Sequence, residues 1–149
     1  MIIDIHTHIT PDGHSDYVRL MGRKPFSART LIKRMDQEGI DQSVVLPLSN
    51  PENADLFGVV NNRECLTACR RHRDRLIPFC NIDPRTLLNT GDADVVRLLG
   101  VHRELGCRGI GEICANLPIT DARYQNLFAA AETVGLPMIF HFAEREGGL

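Results

Sequence analysis

A helix-like segment that ends in glycine and continues directly into a β-rich run recurs along this chain. Apolar residues at helical spacing lead to Gly39, Gly106 and Gly135, and the runs QSVVLPL, CRGIGEI and PMIFHF follow. Glycine suits the left-handed conformation that closes a helix, so each position predicts a helix end and a strand start. The segment ADLFGVVNNRECLTACRRHRD before LIPFCNI follows the same scheme without the glycine, and its basic tail suits a helix C-terminus.

The spacing of these units predicts the class of fold. Strands should begin near residues 2, 43, 76, 108 and 137, at intervals of about 30 to 40 residues that are typical of consecutive βα units. Their apolar, weakly alternating character predicts a parallel sheet covered by helices. Five strands and four helices indicate an α/β fold of the (β/α)8 TIM-barrel type, represented by its first five βα units, since a whole barrel needs about 250 residues. A doubly wound open sheet of five strands is the alternative.

Composition limits the organisation and the partners of the chain. Its 149 residues, 43% of them apolar, predict a single domain over residues 1–149. Because 17 Lys and Arg stand against 19 Asp and Glu, we expect no nucleic-acid partner. No run approaches the ~20 apolar residues of a membrane span, and no signal-peptide pattern opens the chain, which predicts no membrane partner and a cytoplasmic location. The five cysteines without a CxxC pair fit reduced thiols in that compartment.

The first predicted strand ends in a histidine pair. The chain opens with MIIDIHTH, in which His6 and His8 lie two residues apart. Residues two apart on a strand point the same way, so both imidazoles should project from the C-terminal end of this strand. Two neighbouring imidazoles can chelate one divalent ion. Such a pair is weak evidence by itself, because solvated or hydrogen-bonded histidine pairs arise by chance.

Two later residues fall at the same end of the predicted sheet. Glu112 ends the fourth strand, where Gly109 and Gly111 remove side-chain bulk on the opposite parity, and His141 lies within PMIFHF. Alone, the glutamate would be read as a solvated residue and the histidine as a satisfied core residue. Because the C-terminal ends of parallel strands share one face, the coincidence predicts a metal site of His6, His8, Glu112 and His141.

The motifs DIHTH, GIGEI and MIFHF, at these separations, resemble the metal-dependent hydrolases of the amidohydrolase superfamily. RLIPFCNIDPR most resembles its amidohydrolase-related branch, which includes decarboxylases and lactonases. The resemblance implies a (β/α)8 barrel that binds a divalent metal, most often zinc with manganese or iron as alternatives, through His6, His8 and His141. Glu112 matches the strand 4 position, where some members carry a carbamylated lysine and others a glutamate that bridges two metals. The family's strand 6 histidine and strand 8 aspartate would lie beyond Leu149, so a partial barrel is expected.

The resemblance also implies an activity. It predicts a metal-dependent hydrolase that acts on a small, carboxylate-bearing molecule through a metal-activated water, with Glu112 as the catalytic residue that bridges a second ion or orients the water. A nonoxidative decarboxylase of the same branch is the nearest alternative. A TatD-like metal-dependent phosphoesterase or nuclease and an inactive truncated remnant are the others.

Substrate-binding residues are expected in the loops after the strands, because barrel enzymes build their sites there. The loop after the first strand offers His14 and Arg23, for which a solvated loop face is the competing interpretation. The third strand is followed by Asp83 and Arg85, and the fifth by Arg145, whose guanidinium could hold a substrate carboxylate by bidentate hydrogen bonds. The open edges of the first and last strands predict self-association into a homo-oligomer.

Overall fold

The structure, a computed structural model, describes residues 1–11, 15–20, 22–49 and 59–141, without the side chains of Ser15 and Tyr17. Its elements are β1 (Ile3–Thr7), α1 (Ser15–Leu20), α2 (Ala28–Glu38), β2 (Gln42–Val45), α3 (Asn62–Arg71), β3 (Leu76–Pro78), α4 (Val95–Glu104), β4 (Ile110–Ile113), α5 (Ala122–Val134) and β5 (Met138–Phe140). The five strands begin within two residues of their predicted starts. The short helix α1 differs from the prediction, which placed a continuous loop there.

The strands follow one another in chain order. β1, β2 and β3 form a parallel three-stranded sheet, and β4 and β5 form a parallel pair. A parallel bridge between Cys80 and Ile110 joins the two sheets, and the Cys80 N–H donates to the Gly109 carbonyl at 2.9 Å. A doubly wound sheet would instead reverse its strand order beside the first strand. The sequential parallel order is that of a (β/α)8 barrel, so the chain folds as a partial barrel of five units.

The predicted glycine stops close the helices. Gly39 after α2 and Gly135 after α5 both have φ of 71° and adopt the left-handed conformation at the C-cap. Gly106, one residue past the cap of α4, has φ of 110°. A side chain would be strained at these angles, which explains why glycine marks the ends of the helices.

Helices pack on the outer face of the sheets. One core cluster lies between α4, α5 and the β4–β5 pair, and a second lies between α2, α3 and the three-stranded sheet. A third, smaller cluster contains Val44, Leu46 and Phe79. Each cluster buries aliphatic and aromatic side chains that face a neighbouring element, and this burial is the main force that holds a βα unit together.

Two glycines allow the close packing of the strand that carries the candidate site. A Cβ atom at Gly109 would lie 2.2 Å from the Phe79 ring, and one at Gly111 would lie 2.7 Å from the Ile139 carbonyl oxygen. Gly111 also has a φ of 146°, which side chains rarely adopt. Any larger residue would push the start of β4 away from β3 or from β5, and would move the strand that ends at Glu112.

All five cysteines lie among the described residues and are buried thiols outside any disulfide. β1 is the outer strand of the three-stranded sheet, and its Ile5 side chain is 62% exposed. Among the helices that the structure describes, none has the length and apolar character needed to cross a membrane.

Candidate metal centre

Glu112 is the central residue of the candidate site. It lies on β4, within a run of four buried residues, and is only 3% exposed. A carboxylate buried to this extent costs free energy unless polar or charged groups surround it. Its ion-pair partners among the described residues are three histidines: His6 on β1, His8 directly after β1, and His141 directly after β5.

The four residues of the predicted metal site come together around this carboxylate. The Nε2 atoms of His6 and His8 lie 3.2 and 3.0 Å from Glu112 Oε2. The Nδ1 atom of His141 contacts the other carboxylate oxygen, Oε1. The sequence-based prediction of their proximity therefore agrees with the structure, while their role as metal ligands stays a proposal.

Backbone contacts orient the histidines. The Nδ1 atom of His8 lies 2.8 Å from the Leu46 carbonyl oxygen at the end of β2. Since a carbonyl only accepts, this Nδ1 carries the proton, and in the neutral ring Nε2 then holds a lone pair. The His6 N–H donates to Asp4 Oδ1 at 3.0 Å, and the His141 N–H donates to the Ile113 carbonyl at 3.0 Å.

Glu112 is ionised at neutral pH. Burial raises the pKa of its carboxyl, but the hydrogen bonds with His8 and His141 and the electrostatic effect of the nearby His6 and His8 rings outweigh burial and lower this pKa to about 2. The side chain therefore acts as an acceptor near pH 7 and has no proton to donate.

The cluster has the donors and the charge that suit a divalent metal ion. The ligand atoms of His6, His8 and Glu112 all lie within 4.8 Å of one another. A neutral His8 ring would direct its Nε2 lone pair at a carboxylate oxygen 3.0 Å away, an arrangement that needs a proton or a cation between the two atoms. Imidazole nitrogen and carboxylate oxygen are the usual donors to first-row divalent metals. The residues present fit such an ion.

Of the five predicted substrate-binding residues, three lie among the described residues. Asp83 and Arg85 follow β3 and pair with each other, Arg85 Nε donating to Asp83 Oδ1 at 2.8 Å and Nη2 to Oδ2 at 2.7 Å. Arg23 is exposed in the segment between α1 and α2. His14 and Arg145 lie outside the described residues, so the structure does not place them.

Some residues beside the site were not predicted from the sequence. Asn81, buried after β3, donates from its side-chain amide to the Glu112 carbonyl, and Asn62 on α3 bonds the backbone of Asn81. The available signal was a polar residue directly after the apolar run LIPFC. Asp121 and Arg123, after β4, form the same kind of pair as Asp83 and Arg85: Arg123 Nε donates to Asp121 Oδ1 at 2.8 Å and Nη2 to Oδ2 at 2.7 Å.

Fold and site together define a parallel α/β partial barrel with a histidine and carboxylate cluster at the C-terminal ends of its strands. No protein-family model matches the chain, and no curated protein matches it. Solved structures do resemble it in fold.

An uncharacterized TIM-barrel protein from Bordetella bronchiseptica is 19% identical with a TM-score of 0.67, covering 99% of this chain and 57% of that one. A probable 2-pyrone-4,6-dicarboxylic acid hydrolase from Acinetobacter baumannii, with citric acid bound, is 17% identical with a TM-score of 0.66, covering 95% and 49%. A 5-carboxyvanillate decarboxylase from Novosphingobium aromaticivorans, with manganese bound, is 19% identical with a TM-score of 0.63, covering 96% and 50%. The chain thus spans about half the length of these structures, and at these identities the likeness is one of fold.

Proposed function

We propose that this chain carries the metal-binding part of a metal-dependent hydrolase that acts on a small, carboxylate-bearing molecule. The observation that supports it best is the convergence of His6, His8 and His141 on the buried carboxylate of Glu112. Clusters of this kind at the C-terminal ends of barrel strands lie where barrel enzymes carry out their chemistry.

The proposed ligands are His6, His8, Glu112 and His141. Three imidazoles favour zinc, while the manganese in the structurally similar decarboxylase makes manganese the alternative. A divalent ion held here would supply a Lewis acid that polarises a carbonyl group and lowers the pKa of water.

The protein's own groups set the geometry. The Leu46 carbonyl fixes the ring of His8 so that Nε2 points to the cluster. Glu112, ionised near pH 7, accepts hydrogen bonds at both carboxylate oxygens, and we assign it the orientation of the reacting water. Its buried position keeps competing solvent away from the carboxylate.

Several similarities support a carboxylate-bearing substrate. The hydrolase that the chain resembles is named for a dicarboxylic acid and was solved with citric acid, and the decarboxylase was solved with 4-hydroxy-3-methoxy-5-nitrobenzoic acid. We propose Arg85, whose Nε and Nη2 atoms are paired with Asp83, as the described substrate contact after β3, because its positive charge suits a carboxylate. Arg23, His14 and Arg145 remain proposed contacts on the strength of their sequence positions.

A nonoxidative decarboxylase is the second candidate, favoured by the likeness to the 5-carboxyvanillate decarboxylase. The two reactions differ in their protons. Opening a lactone consumes water and releases a proton, whereas loss of carbon dioxide from an aromatic carboxylate takes up a proton. Indicator dye and carbon dioxide measurements on lactones and hydroxybenzoates therefore separate the two activities in the metal-loaded protein.

The metal site itself is tested by metal content. Purified protein is stripped with a chelator, dialysed against zinc or manganese, and analysed by mass spectrometry of the bound metal. We expect a stoichiometric ion in the wild type and its loss in the His6→Ala/His8→Ala double variant.

The matched control removes two histidines elsewhere. His72 caps α3, and His102 lies on α4 with its Nδ1 atom 2.9 Å from the Leu98 carbonyl. The His72→Ala/His102→Ala variant should retain the metal. Equal metal content in the two double variants, or none in the wild type, would rule out the proposed centre.

A further inference from the structure

Asn81 joins the end of β3 to the residue at the centre of the candidate site. It lies one residue past the bridge between Cys80 and Ile110 and is 3% exposed. Its side-chain amide donates a hydrogen bond to the backbone carbonyl of Glu112. The backbone of Glu112 is therefore held from the β3 side, while its carboxylate is held from the β1 and β5 sides by histidines.

Asn62 fixes Asn81 in turn. Its Oδ1 atom accepts from the Asn81 N–H at 2.7 Å, and its Nδ2 atom donates to the Asn81 carbonyl at 2.8 Å. This two-point contact occupies both backbone groups of Asn81 as a neighbouring strand would. Asn62 is the first residue of α3, whose start is fixed by a capping box between Asn61 and Glu64.

These contacts form a continuous chain from a helix to the site. α3 holds Asn62, Asn62 holds the backbone of Asn81, and the Asn81 side chain holds the backbone of Glu112. A buried amide without its partner costs free energy, so each link favours one arrangement of the next. The hydrogen bonds of the two asparagines described above go to backbone groups and not to the carboxylate, so both residues would act through the position of Glu112.

We propose that Asn81, supported by Asn62, is a positioning residue that sets the Glu112 carboxylate for metal binding. The inference rests on the proposed function, because it assigns Glu112 to a metal site. Groups that orient metal ligands typically contribute about 10- to 100-fold to metal affinity. Substituting Asn81 should therefore weaken the metal site without removing a ligand.

The test compares manganese affinity in Asn81→Leu, Asn62→Asp and wild-type protein, with free manganese measured by electron paramagnetic resonance. Leucine has a similar size and removes the amide donor, which leaves the Glu112 carbonyl with the weaker thiol donor of Cys114 at 3.6 Å. Aspartate at position 62 keeps the acceptor for the Asn81 N–H and replaces the donor to its carbonyl. We expect at least a tenfold loss of affinity for Asn81→Leu and a smaller loss for Asn62→Asp.

Asn126→Leu is the matched control. Asn126 also donates from Nδ2 to a backbone carbonyl, that of Ala93, at 2.8 Å, but it does so between α5 and the segment before α4. It should lower the melting temperature and leave manganese affinity unchanged. A merely structural role for Asn81 would instead make affinity follow melting temperature in all the variants.

A second readout needs no metal. Imidazole nitrogen resonances of His6, His8 and His141 at constant pH report their contact with Glu112, and we expect Asn81→Leu to shift them and Asn126→Leu to leave them in place. Unchanged imidazole resonances together with wild-type manganese affinity in both Asn81→Leu and Asn62→Asp would overturn the inference. If Asn81→Leu does not fold, the same two measurements on Asn62→Asp decide the outcome. Wild-type protein that binds no manganese or zinc would contradict the proposed function, and the ring resonances would then decide the positioning role alone.

Discussion

The packing of Gly109 against Phe79 gives a prediction whose size follows from the structure. In a Gly109→Ala variant, the new Cβ atom would lie 2.2, 2.4 and 2.6 Å from three carbons of the Phe79 ring. Normal contacts of this kind begin near 3.4 Å, so the ring or β4 must move by about 1 Å. Phe79 is 6% exposed and packs with Val44 and Leu46, which leaves the ring little room to move.

Two opposing effects determine the magnitude. Overpacking of a dense core costs about 1 to 3 kcal/mol, while alanine gains about 0.4 to 1 kcal/mol by restricting the unfolded chain. We expect a net loss of about 1 to 2 kcal/mol in the free energy of unfolding. For a chain of this size that corresponds to roughly 2 to 8 °C in melting temperature.

Urea unfolding followed by circular dichroism measures the change. Gly100→Ala is the control, because Gly100 lies within α4 with nothing within 4 Å of its would-be Cβ, and alanine there should stabilise the helix by up to about 1 kcal/mol. In a Phe79→Leu background the smaller side chain should remove most of the cost of Gly109→Ala. A cost that is the same in both backgrounds would refute the steric explanation.

Two further predictions concern α5 and α4. Burial raises the pKa of Tyr124, whose hydroxyl donates to the Ala115 carbonyl, to about 12. The Tyr17→Phe variant removes the other tyrosine, so absorbance at 295 nm then reports Tyr124. We expect a titration midpoint near pH 12 in the folded protein and near pH 10 in urea. Because the folded state holds the Tyr124 proton to a higher pH than the unfolded state, the contribution of Tyr124 to stability is complete below pH 10 and is lost as the pH rises through 12. A folded midpoint near pH 10 would contradict the effect of burial on this pKa. Asp94 caps α4 by accepting a hydrogen bond from the Arg97 N–H at 3.1 Å. Asp94→Ala should therefore lower the free energy of unfolding by about 1 kcal/mol in urea unfolding, and Asp94→Asn should lower it much less. Equal losses in the two variants would exclude a stabilising role of the cap.

The strand starts and the proximity of the candidate site residues could be predicted because both follow from local signals. Glycines such as Gly39 and Gly135 mark helix ends within a few residues of sequence. The rule that parallel strands expose their C-terminal ends on one face then brings distant residues such as His6 and Glu112 together. The prediction of a single domain, a homo-oligomer, a cytoplasmic location and no nucleic-acid or membrane partner stays a prediction.

Other features depend on tertiary contacts that the sequence does not display. A six-residue helix such as α1 is too short to be stable alone, and its Val18 is 2% exposed, so packing holds it. The Leu46 carbonyl that orients His8 is a backbone group with no sequence signature. Asn62 and Asn81 meet only because α3 and β3 pack side by side.

The junction between β3 and β4 has a consequence for how an ion would act on this protein. His6 and His8 lie at the end of β1 in the three-stranded sheet, whereas Glu112 lies on β4 and His141 directly after β5. Backbone bonds across the junction include Arg108 N–H to the Pro78 carbonyl and Gly111 N–H to the Cys80 carbonyl, both at 2.8 Å.

Local opening at this junction would separate the donor pairs while each sheet stays folded. An ion bound by both pairs would favour the closed form by mass action and slow hydrogen exchange at these amides. The ion would thus stabilise the contact between the two sheets, in addition to the Lewis-acid role proposed for it.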